Sequence, residues 1–223
     1  GVASATAAIE VATVDLPPAP EILAPAEDTA HDAGATVQLS GRALDPEDGE
    51  LPGSSLVWDV IIIHPDDPHT HPIVEGLIGS EQSFELPVAG LAEAWNLTII
   101  LTATDSKGHK ATAERLVGLN PASIRLESDP PGFRLTADGI SITAPGEYRS
   151  VNQAVVELNA PEPQDLPGSA PGTRPYIFKS WSDGGARTHP VTASEGLSFT
   201  AAFEPDPRGM FLRGDSNRDG RHD

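Results

Sequence analysis

Cysteine is absent from the 223 residues, which removes disulfides, thiolate zinc sites and cysteine nucleophiles together. No apolar run comes near the roughly 20 residues that a helix needs to span a bilayer, so membrane insertion is not expected. Residues 1–9 lack the basic and apolar regions of a signal peptide, and the chain reads as a mature or excised piece of something longer. Positive charge is scarce: 14 Lys and Arg stand against 33 Asp and Glu, a formal net charge of -19. Such a surface repels nucleic acid phosphates and anionic membranes, and it favours solubility and divalent cations. Stretches free of helix breakers are scarce too, because 22 Pro and 21 Gly are spread along the whole length. Long helices are therefore not expected, and short strands between turns are the alternative.

The strands that remain show a two-residue period. In residues 36–43, Val37, Leu39, Gly41 and Ala43 share one face, and Thr36, Gln38, Ser40 and Arg42 share the other. In residues 96–104, Leu97, Ile99, Leu101 and Ala103 face in, with Ile100 breaking the pattern on the polar side. Between them, residues 56–63 form an apolar run whose Trp58 anchors a core. A second block repeats this grammar with strands at 123–126, 133–136, 154–158, 176–181 and 197–203, interrupted by an exposed Pro/Gly-rich loop at 161–175. The expected fold is all-β, with two consecutive immunoglobulin-like sandwich domains. The boundaries are 1–19 for an N-terminal strand and linker, 20–119 and 120–205 for the sandwiches, and 206–223 for a second linker and a truncated loop. The proline run 17–20 serves as the first linker, and the strand at 9–14 either pairs with a sheet edge, in this chain or another, or stays without structure.

In the first block, Ala43-Leu44-Asp45-Pro46-Glu47-Asp48-Gly49, Trp58, the His-rich stretch 64–71 and Leu101-Thr102-Ala103-Thr104-Asp105-Ser106-Lys107-Gly108 resemble polycystic-kidney-disease-type (PKD-like) modules. The nearest likeness is to modules attached to bacterial secreted sugar dehydrogenase-like proteins. The resemblance spans about 100 residues and implies a spacer, an adhesive unit or a carbohydrate-associated accessory, extracellular or on the bacterial cell surface. In the second block, Ser128-Asp129-Pro130-Pro131-Gly132, Phe178-Lys179-Ser180-Trp181-Ser182-Asp183-Gly184-Gly185 and Thr200-Ala201-Ala202-Phe203 look like β-rich repeat domains of bacterial surface proteins. At the end of the chain, Asp215, Asn217, Asp219 and Asp223 hold positions 1, 3, 5 and 9 of an EF-hand-type loop, with Gly220 at position 6. That stretch is similar to the opening of a dockerin repeat, and the sequence ends before the closing carboxylate at position 12. Weak or no calcium binding by this tail is expected.

Three further clusters carry possible chemistry. Asp45, Glu47 and Asp48 follow one strand and Asp105 follows another; in an immunoglobulin-like sandwich those strands run the same way, so both turns fall at one end. Carboxylates gathered there invite calcium, while the same sequences are also ordinary turns whose aspartates bond to their own backbone. His64, His69 and His71 are metal ligands or interface residues on one reading, and turn residues in a solvated loop on the other. That loop is expected beside the start of the second block. Trp181 is either a sugar platform or the end of a core strand followed by an Asp-Gly turn. No Gly-x-Ser-x-Gly elbow is present and the seven histidines are scattered, so an enzyme is not expected. The expected function is a non-catalytic structural or adhesive module pair that assembles with other modules or with copies of itself into a fibre or scaffold. The alternative is a carbohydrate-binding accessory of a secreted enzyme.

Overall fold

A computed structural model describes residues 15–63, 70–91, 96–170 and 174–208. Among these the chain is all-β, with a single 3-10 turn at Gly53–Ser55. The first half contributes β1 (Ala19–Ala24), β2 (Ala30–His31), β3 (Thr36–Asp45), β4 (Gly49–Glu50), β5 (Leu56–Ile63), β6 (Thr70–Ile78), β7 (Glu81–Glu85), β8 (Asn96–Thr104) and β9 (Lys110–Leu119). They form two sheets. One holds β1, β3 and β4 with β7 also paired to β3, and the other runs β2-β9-β8-β5-β6. This is an immunoglobulin-like order, in which the opening segment divides between sheets: β1 pairs antiparallel with β3, and β2 pairs parallel with the last strand, β9.

Alternation sets which face is buried. Val37, Leu39 and Ala43 of β3, and Leu97, Ile99, Leu101 and Ala103 of β8, are all buried, as the sequence pattern requires. The sheets meet where Gly41 of β3 lies against Trp58 of β5 and Leu101 of β8. A Cβ added at Gly41 would come within 2.8 Å of the indole and 2.7 Å of Leu101, so glycine is what lets Trp58 pass between the layers. Trp58 is fully buried, and its indole N–H donates to the Gly79 carbonyl at 2.7 Å, so its one polar atom is satisfied.

The second half contains β10 (Pro121–Asp129), β11 (Arg134–Ala137), β12 (Ile140–Thr143), β13 (Gly146–Val151), β14 (Val155–Asn159), β15 (Tyr176–Trp181), β16 (Thr188–Thr192) and β17 (Leu197–Pro205). Its sheets have the orders β13-β10-β17-β15 and β12-β11-β14-β16. Again the first and last strands, β10 and β17, pair in parallel. Here aromatic rings join the layers: Phe133, just before β11, stacks on Phe203 of β17 with ring centroids 4.4 Å apart. Tyr148 of β13 also crosses between the sheets, its hydroxyl donating to Asp138 at 2.7 Å. The 161–170 part of the expected loop is largely solvent-facing, and Gln164 fastens it by exchanging backbone bonds with Tyr176 and by donating to the Arg134 and Pro161 carbonyls.

Among the described residues no strand pairs across Asn120, yet the halves are bonded to each other around it. The Asn120 amide donates to the His31 carbonyl at 2.9 Å and its side-chain amide to Asp32 at 2.7 Å. The Asn152 amide donates to the Asn120 carbonyl at 2.8 Å, the Ala33 amide to the Asn152 carbonyl at 2.9 Å, and the Val155 amide to the Val88 carbonyl at 2.6 Å. Side-chain hydrogen bonds from Asn120 and Asn152 hold the Asp32 carboxyl below its ordinary value, against a smaller opposing effect of burial.

Two expected linkers differ from the sequence reading. Ala19 and Pro20 lie in β1, where Ala19 pairs with Leu44 and Pro20 with Ala43; an edge strand tolerates proline because its outer side needs no donor. At the other end, Asp206 is buried rather than extended in solvent. Its amide donates to the Pro175 carbonyl at 2.8 Å, and its carboxylate accepts from the Arg208 amide and guanidinium, both at 2.9 Å. The strand expected at 9–14 and the loop at 64–69 lie outside the described residues. The strand directions behind the loop expectation do hold, for Ile62 pairs with Leu97 and Leu97 with Val117, which puts the ends of β5 and β9 at one edge of the sheet beside Asn120.

Candidate functional site

The densest chemistry lies at the opposite end of the first half, where two turns are built alike. Asp45 ends β3, and its Oδ1 accepts the amides of Glu47 at 3.0 Å and Asp48 at 2.8 Å, closing an Asx turn that leads into Gly49 with φ +78°. Asp105 follows β8, and its Oδ1 accepts the amides of Lys107 and His109, both at 2.8 Å, around Gly108 with φ +94°. The positive φ of these two glycines is what each turn requires of the sequence. Asp48 ties the turns together: its Oδ2 accepts the Ser106 amide at 2.8 Å and its Oδ1 the Ser106 hydroxyl at 3.0 Å. The two turns therefore share one end, as expected from the strand directions.

The carboxylates meet there differently from the calcium arrangement read from sequence. Among the described residues, Asp45, Glu47, Asp48 and Asp105 do not bring three ligand atoms together. The group that does is Asp15, Asp105 and His109, with its ligand atoms all within 4.8 Å of one another. The reason is local. Backbone amides and Ser106 occupy one oxygen of Asp45 and of Asp105 and both of Asp48, and Glu47 turns toward the Leu16 amide at 3.3 Å. Only Asp45 Oδ2 of that turn is buried without a hydrogen-bond partner.

His109 Nδ1 lies 2.8 Å from Asp15 Oδ2 and 2.9 Å from Asp105 Oδ2. The Asp105 side chain is 1% exposed, Asp15 28% and His109 48%, so the site opens to solvent on the imidazole side. Burial opposes ionisation of Asp105, but the His109 and Lys107 amides and the imidazole together hold its carboxyl below the ordinary range. The His109 imidazole is pushed up, first by its hydrogen bond to Asp105 and further by the charges of Asp105 and Asp15, against a smaller effect of burial. Asp15 and His109 were not singled out from the sequence. An Asp followed four residues later by His across an Asx turn is a signal for the second; nothing local marks Asp15.

The other expected sites separate. Trp181 is only 3% exposed, its indole N–H donates to the Arg187 carbonyl at 3.1 Å, and the His189 ring packs edge-on against it at 5.6 Å. So little of the ring meets solvent that it offers no open face for a sugar, as the core-strand reading has it. His189 also meets Asp183 at 3.0 Å, and the Asp183 carboxyl is held low by the Gly185 amide and His189 despite the opposing effect of burial. His71 sits in β6 opposite Ile62, whereas His64 and His69 lie outside the described residues. Asp215, Asn217, Asp219 and Asp223 lie outside them as well. An open cleft of about 580 Å³ runs over Gly132, Arg134, Ser141 and the 161–167 loop, with Gln164 bonded across it. No family model and no curated protein matches the chain.

Proposed function

We propose that the chain is a non-catalytic structural or adhesive module pair of a bacterial extracellular or cell-surface protein, working beside other modules or further copies of itself in a fibre or scaffold. The observation that carries this reading is the junction. Asp32, Asn120 and Asn152 spend their polar groups on bonding one half to the other, which is useful to a spacer that must hold a set geometry and of no use to an isolated binding domain. The PKD-like and surface-repeat resemblances point the same way. The accessory role in carbohydrate binding loses its platform with Trp181 buried.

The test is orientational. Residual dipolar couplings from both halves should fit one alignment tensor, and a glycan array probed with the full chain should give no specific binder. Two independent tensors, or a sugar bound at micromolar affinity, would overturn the proposal.

A further inference from the structure

We propose that Asp15, Asp105 and His109 bind one divalent transition-metal ion of the zinc class, and that the ion staples the segment leading into β1 to the turn between β8 and β9. This goes beyond the structural role above and does not depend on it.

Protons are short at this cluster. His109 Nδ1 is within hydrogen-bonding distance of two carboxylate oxygens, at 2.8 and 2.9 Å, but it carries at most one proton. A single proton cannot point squarely at both Asp105 Oδ2 and Asp15 Oδ2. Asp15 Oδ2 is shut off from water and has no donor other than that shared imidazole nitrogen. A buried carboxylate oxygen without a donor of its own is costly, and an ion that accepts electron pairs from all three atoms at once removes that cost. Charge agrees with this. Two carboxylates are balanced by a divalent cation and only half balanced by an imidazolium. Glu47, whose Oε2 takes the Leu16 amide at 3.3 Å, adds negative charge alongside.

The site is also prepared for a ligand. Two backbone amides fix Asp105 Oδ1, so Oδ2 is held toward His109 rather than free to turn away. The half-exposed imidazole leaves room for water to complete a tetrahedral shell. With bonds of about 2.0–2.2 Å, ligand atoms around such an ion stand roughly 3.3 Å apart. The present contacts need to open by about half an ångström, which an exposed ring can supply. The imidazole nitrogen also decides the class of metal. Calcium takes six to eight oxygens, whereas a nitrogen with two carboxylates suits zinc and its neighbours. This distinguishes the site from the oxygen-only calcium arrangement expected at Asp45, Asp48 and Asp105.

The experiment is a calorimetric titration of the full chain, stripped by chelator, with zinc chloride and separately with calcium chloride, while the histidine ring resonances are followed by NMR. One equivalent of zinc should shift the His109 ring, and Asp15→Asn and His109→Gln should each weaken that event at least about ten-fold. Both variants should melt like the parent in chelator; if either does not, the His109 resonances of the parent chain decide alone. Zinc uptake that moves only other histidines, affinity untouched by both substitutions, or calcium binding as tightly as zinc would each overturn the proposal.

Discussion

In the first half the two sheets meet where a glycine, Gly41, makes room for one large ring, Trp58; in the second they meet on a stack of rings, Phe133 on Phe203, with Phe178 edge-on to Phe203 at 6.4 Å. The first solution is a lock and depends on the absence of a single methyl group. The second shares its contact among several aromatic side chains that can shift against one another. Both bury a tryptophan whose indole N–H finds a backbone carbonyl, Gly79 for Trp58 and Arg187 for Trp181. Trp58 does so from a central strand and Trp181 from the end of an edge strand. Similar layers are thus closed by different means, and the difference predicts where each half is brittle.

The largest effect should come from removing the ring in either core. Trp58→Ala and Phe133→Ala are each expected to cost about 3–5 kcal/mol, read from urea unfolding at constant slope. A loss under about 1 kcal/mol at either site would mean that the interlayer contact lies elsewhere. Next in size is Gly41→Ala. The added methyl must displace Trp58 or Leu101, for a cost of about 1–3 kcal/mol, although alanine is the better strand residue. A neutral or stabilising result would break the lock-versus-stack comparison. The pair Gly41→Ala with Trp58→Phe should recover part of the loss, since the smaller ring vacates the space.

The smallest effect concerns the junction. Asp32 is held below its ordinary value of 3.8 by Asn120 and Asn152, with the nearby His31 adding a favourable charge. A depressed carboxyl contributes stability that is present above that ordinary value and is lost as pH falls through the lower folded value. Acidification below about pH 4 should therefore lower the hydrogen-exchange protection factors of the Ala33 and Asn152 amides before those of the sheet amides. Asp32→Asn should remove this pH dependence. Junction amides whose protection factors at about pH 3 equal those at about pH 5 would show that Asp32 does not hold the halves together.

The sequence by itself determined the all-β class and the inward faces of β3 and β8, because a period of two places every second side chain on the same side whatever the strand pairs with. Asx-turn chemistry was legible for the same reason: Asp45 and Asp105 need only neighbours two to four residues away. Even the shared end of the two turns followed from strand direction. Of the two readings of those turns, the backbone-bonded one describes Asp45 and Asp105, and among the described residues the four acidic side chains do not bring three ligand atoms together. Only the tertiary structure brought Asp15 to His109, across 94 positions of chain that no local pattern connects. It also decided that Trp181 belongs to the core, since an aromatic residue at a strand end reads alike whether the opposing layer covers it or water does. Burial across layers and contact between distant segments are properties of the folded pair of sheets, and a one-dimensional pattern carries neither.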